Sequence, residues 1–162
     1  MYIVLGIVVV IIILFFTGNK SVHHEITINA APEKVWKVLI ETDDYPNWNP
    51  VMELVEGKVQ EGNKVKYKFT LDESTTSEIG ATVVQLVPNK LLNQKGGIPL
   101  VLTFNHMYIL ESTENLTKVI IHENYKGIGV NFWNPQPVEE AYKRLNFALK
   151  DWVKKNQING NE

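Results

Sequence analysis

From His23 the chain alternates apolar and polar residues through "HHEITINA", with Ile26 and Ile28 on one face, the period of a half-buried strand. The period then changes. In "APEKVWKVLIET", Val35, Trp36, Leu39 and Ile40 form a stripe at helical spacing, with Pro32 early and Glu33 in the first turn. "DDYPNWNP" interrupts the pattern, because prolines remove backbone donors and discourage regular elements; a turn or a strained short helix is expected there. Six strands follow, at about 52–59, 64–72, 78–87, 91–95, 100–112 and 117–126. The separators "EGN", "DESTTS", "PN", "GGIP" and "STEN" have turn compositions, and their brevity makes neighbouring strands antiparallel. The closing stretch, "NPQPVEEAYKRLNFALKDWVKKN", reads as a long amphipathic helix with Asn134 as N-cap. Val138, Ala141, Tyr142, Leu145, Leu149, Trp152 and Val153 share one face of it. A strand, a helix, a meander and a closing helix predict an α+β layer in which a curved antiparallel sheet wraps the terminal helix. Such an arrangement leaves apolar space between the two.

Residues 1–16, "MYIVLGIVVVIIILFF", carry no charge and show no amphipathic period. About 18 residues of helix span about 27 Å, which just reaches across a bilayer. The stretch lacks the basic start and small-residue cleavage site of a secretory signal, so a retained single-pass anchor is expected over residues 1–18. Lys20, the first side-chain cation, follows the span and places the remaining domain on the cytoplasmic side of a membrane. The domain organisation expected is then an anchor at 1–18, a linker at 19–22 holding the approach to His23 and His24, a domain at 23–156 and a flexible tail at 157–162.

Composition narrows the function more than the fold. A formal charge of -2 and a single arginine, Arg144, argue against a nucleic-acid partner, whose phosphates need clustered cations. With no cysteine, disulfides, thiolate nucleophiles and Cys-ligated metals are excluded. "HHE" at 23–25 sits in a strand and lacks the second histidine of a zincin helix, and the glycine-containing "KGIG" and "KGGIP" lack phosphate-loop spacing. No metal and no cofactor are expected.

Alternation assigns faces within the strands. Val65, Tyr67, Phe69 and Leu71 share the inner side of their strand, and Lys64, Lys66 and Lys68 the wet side. Leu102, Phe104, His106, Tyr108 and Leu110 form the inner row of the next long strand, and Val119, Ile121, Glu123 and Tyr125 that of its partner. If "STENL" closes a tight hairpin, His106 and Glu123 face each other. They are the one candidate acid–base pair of the chain, able to satisfy each other, to hydrogen-bond a ligand or to move a proton.

The combination of "ITINAAPEKVWKVLIETDDYPNWNP", "FNHMYILESTENLTKVIIHENYKG" and a closing helix with "NFALKDWV" resembles the START-like (SRPBCC) superfamily, nearest to its polyketide cyclase/dehydrase and lipid-transport branch, over about residues 23–156. The resemblance implies a helix-grip fold of the kind shared with the birch-pollen allergen. It also implies a cavity for a lipid, quinone, isoprenoid or polyketide-like molecule, with Trp48 capping one end; the alternative reading of the corner is that Tyr45 and Trp48 plug the edge of the core. The ligand contacts expected are Trp48, Tyr67, Phe69, Phe104, Tyr108 and Tyr125, with His106 and Glu123 giving polar selectivity and Tyr142, Leu145 and Leu149 contributed by the closing helix. Two alternatives stay open: a cyclase or dehydratase using His106 as base with Glu123 orienting it, and a chaperone-like interaction domain whose interior is filled.

Overall fold

The computed structural model describes residues 2–113 and 115–159. Its first element, α1 (Tyr2–Thr17), has no buried residue. The chain leaves the helix at Gly18, whose added Cβ would lie 1.9 Å from the Gly127 carbonyl oxygen, so only glycine permits that crossing. Gly127 N–H donates to Gly18 O at 3.0 Å, and Asn131 Nδ2 donates to the Leu14 carbonyl at 2.7 Å, which ties off the helix C-terminus.

This corrects the expected single-pass anchor and the membrane localisation drawn from it. The 16 residues of α1 extend about 24 Å, short of a hydrocarbon core of about 30 Å. Among the described residues no helix is long and apolar enough to cross a membrane. The linker expected at 19–22 is also replaced, because β1 (Asn19–Ile28) starts there, and His23 and His24 are strand residues. Lys20 marks no membrane side: it is half-buried and donates to the Trp133 carbonyl. Of the expected tail, residues 157–159 continue the last helix and 160–162 lie outside the described residues.

After β1 come α2 (Pro32–Ile40), which buries Val35, Trp36 and Leu39, and a single 3-10 turn (Thr42–Asp44) leading into α3 (Tyr45–Trp48). "YPNWNP" is thus a one-turn helical corner. Asn49 Oδ1 accepts the N–H groups of Val51 at 3.0 Å and Met52 at 2.8 Å, and Tyr45 OH donates to the Leu39 carbonyl at 2.7 Å. Both ends of the corner are therefore pinned by local polar contacts that the prolines leave free.

The meander follows as β2 (Met52–Gly57), β3 (Lys64–Thr70), β4 (Thr76–Val87), β5 (Leu91–Ile98), β6 (Leu102–Thr113) and β7 (Leu116–Lys126), all pairs antiparallel. β1 pairs with β7, so the seven-stranded order is β1-β7-β6-β5-β4-β3-β2. Register shifts at Leu54/Glu56 and Val83/Gln85 bend the sheet, as extra residues in one strand do. A second 3-10 turn (Ile128–Phe132) leads to α4 (Gln136–Asn159). Asn134 Oδ1 accepts the Gln136 N–H at 3.2 Å, the capping contact its sequence position suggests. Ala141, Tyr142, Leu145, Leu149 and Val153 are buried where α4 lies in the concave face of the sheet. This is the helix-grip arrangement.

Candidate functional site

Strand register, rather than any loop, assembles the polar centre. Gln94 on β5 lies opposite His106 on β6, and His106 lies opposite Glu123 on β7. The same rung continues to Val83 on β4 and Val22 on β1. All five side chains are buried, so one row crosses the concave face with three polar groups flanked by two valines. The expected hairpin register holds, and with it the facing of His106 and Glu123.

His106 Nδ1 sits 3.5 Å from Glu123 Oε2, with both side chains about 95% buried. Tyr142, reaching down from α4, donates its hydroxyl to the same Glu123 oxygen. The Tyr142 and His106 rings lie 5.2 Å apart, and Tyr108 packs edge-on to His106 at 4.7 Å. On the other side Gln94 Nε2 donates to Tyr67 OH at 2.8 Å. His106 Nε2 is buried and, among the described residues, has no hydrogen-bond partner.

Tyr67, Gln94, His106, Glu123 and Tyr142 border a cavity of about 600 Å³ between the sheet and the start of α4. Tyr67, Phe69 and Leu71 come to it from β3 and its end, Ile79 and Ala81 from β4, and Phe104 and Tyr125 from β6 and β7. Trp133 and Val138 close it near the N-terminal end of α4. The Tyr125 and Trp133 rings are 4.5 Å apart, and Lys20, opposite Tyr125 in register, holds the Trp133 carbonyl. Gly96 on β5 permits the wall to be thin: a Cβ there would meet the Gly80 carbonyl oxygen at 2.2 Å and the Phe104 ring at 2.5 Å. Phe104 can lie across the strand only because that side chain is absent.

Seven of the eleven residues read from the sequence as ligand contacts border this cavity: Tyr67, Phe69, Phe104, His106, Glu123, Tyr125 and Tyr142. Four do not. Trp48 is buried against Tyr45, ring centroids 5.2 Å apart, and plugs the core beneath α3 rather than capping the space. Tyr108 lies under His106 with its hydroxyl 3.7 Å from Met52 Sδ, and Leu145 and Leu149 are fully buried deeper in the core. Gln94, Ala81 and Trp133 were missed. Alternation along "LLNQKGG" places Gln94 with Leu92 on the inner face, so that residue was open to the same reasoning as His106.

Burial raises the pKa of every tyrosine in this region above the ordinary phenol value of 10.0: Tyr67 is pushed up to about 12, and Tyr45, Tyr108, Tyr125 and Tyr142 are raised as well. For Tyr125 and Tyr142 the charge of Glu123 adds to burial. An unfolded chain releases these protons near pH 10 while the folded one retains them, so ν_U falls below ν_N and stability declines as pH rises past 10. Denaturant titrations from about pH 9 to about pH 11.5 should show a steep loss of unfolding free energy, with Tyr67 alone accounting for about 2 kcal/mol. Phenolate absorbance should appear together with loss of tertiary structure. A flat stability over that range would contradict the burial of these hydroxyls.

A family model described as polyketide cyclase / dehydrase and lipid transport matches residues 19–150. Among solved structures, protein CV1439 from Chromobacterium violaceum superposes with TM-score 0.68 at 15% identity, covering 82% of this chain and 96% of that one. Ara h 8.0201 gives 0.66 at 16%, covering 85% and 99%, and norcoclaurine synthase from Thalictrum flavum gives 0.63 at 15%, covering 83% and 86%. At these identities the likeness is one of fold. No curated protein matches the chain at a significant level.

Proposed function

This chain belongs to the polyketide cyclase / dehydrase and lipid transport family, and from that premise we infer that it binds an apolar small molecule between its sheet and α4. The observation that carries this reading is the cavity of about 600 Å³, walled mainly by aromatic and aliphatic side chains and holding one short polar row. That volume lies within the range of small-molecule pockets, about 300–1,000 Å³, and the pattern of apolar walls with a few convergent polar groups is the one such pockets share. The same space argues against a filled interior that works only through its surface. The ligand contacts we propose are Tyr67, Phe69, Phe104, Tyr125 and Tyr142, with His106 and Glu123 as polar anchors and Gln94 holding Tyr67 in place. Lipid, isoprenoid, quinone and polyketide-like molecules all present the required apolar surface.

Native mass spectrometry on gently purified protein should reveal a bound species below about 1 kDa that denaturation releases, since buried apolar area of this extent supports micromolar or tighter binding. A chain that carries no such species and also fails to bind a panel of apolar fluorescent probes would overturn the reading.

A further inference from the structure

His106 borders the cavity, and its buried Nε2 has no partner among the described residues, while its other ring nitrogen lies 3.5 Å from a carboxylate oxygen of Glu123. A polar group in that position costs free energy until something bonds it. Resting on the cavity reading above, we propose that Nε2 is the acceptor for a hydroxyl group on the apolar ligand, so that the site selects alcohols, phenols or enols over ligands bearing only carbonyl or ether oxygen.

The choice between acceptor and donor follows from the neighbours of the ring. Glu123 Oε2 lies 3.5 Å from Nδ1, so a ring proton on Nδ1 sits in the field of that carboxylate, whereas the opposite tautomer sets a lone pair against it. Tyr142 strengthens the arrangement. Its hydroxyl stays protonated far above ordinary pH, because burial and the charge of Glu123 both oppose the phenolate, so it donates to Oε2 and holds the carboxylate in place. The chain Tyr142 to Glu123 to His106 Nδ1 therefore leaves a bare lone pair on Nε2. A ligand hydroxyl can donate to it; a ketone or ether oxygen meets it lone pair to lone pair.

The test uses the full chain, stripped of co-purified molecules on a hydrophobic resin, and three probes substituted at the same ring carbon: naphthol, its isostere methylnaphthalene, and acetylnaphthalene. Partition into an apolar site favours the methyl compound, so tighter binding of naphthol has to come from a hydrogen bond. The expected result is naphthol about 10-fold or more tighter than methylnaphthalene. His106→Phe should erase that ratio. Equal binding of naphthol and methylnaphthalene, or a preference that survives His106→Phe, overturns the hydroxyl assignment while leaving the cavity reading in place. Failure of all three probes to bind overturns both.

Discussion

Ala81→Phe is expected to weaken naphthol binding by at least about 100-fold, or about 2.7 kcal/mol, while the protein melts no lower than before. Ala81 sits on β4 with its side chain turned inward, between Val65 on β3 and Gly96 on β5, and borders the cavity directly. A phenyl ring there enters space that no protein atom occupies. Filling an apolar void adds contacts without opening the surrounding core, so stability is conserved or raised while the ligand is excluded. Fluorescence titration and a thermal melt on the same sample measure both quantities. Unchanged affinity in a folded Ala81→Phe chain would place the ligand elsewhere.

The second large effect is of the opposite kind. Leu145→Ala should lower the unfolding free energy by about 3–5 kcal/mol yet leave naphthol affinity within about 3-fold. Leu145 is 0% exposed and packs in the core cluster without bordering the cavity. Truncation removes its transfer free energy and leaves a void enclosed by the sheet on one side and α4 on the other, neither of which can collapse far. Against a domain stability of about 5–15 kcal/mol, that is a substantial fraction. Urea unfolding gives the first number and titration the second. A loss of affinity without a loss of stability would return Leu145 to the group of ligand contacts.

The comparison of Leu145 with Tyr142 shows where sequence reasoning stops. Both lie on the apolar stripe of α4, three residues apart, and the stripe correctly predicts that both turn toward the sheet. Which of them meets a void and which meets packed side chains depends on how far the sheet bends away from the helix at each turn. The bend arises from register shifts at Leu54/Glu56 and Val83/Gln85, and no hydrophobic period announces those. Trp48 illustrates the same limit: the proline corner was legible and left two readings open, a cap on the cavity or a plug in the core, and the packing of the indole against Tyr45 decides for the core.

The apolar start of the chain failed for a different reason. Its composition announced a helix, but its end is fixed by an event far away in sequence, the crossing of Gly18 over Gly127 that starts β1 at Asn19. Two residues fewer of helix is a matter of about 3 Å, and that difference separates a segment that just reaches across a bilayer from one that does not.

What the order of residues determined unaided was local: the kinds of elements, the antiparallel meander, the inner faces of its strands and the facing of His106 with Glu123, because backbone period and hairpin closure act over a few residues. Tertiary structure decided the rest: that β1 joins β7, that Gln94 falls on the rung of His106, that Tyr142 descends onto Glu123, and that empty volume lies beside Tyr67 and not beside Trp48. Those outcomes come from the curvature of the whole sheet and the depth of α4 within it, which are shared by all seven strands and written in none of them singly.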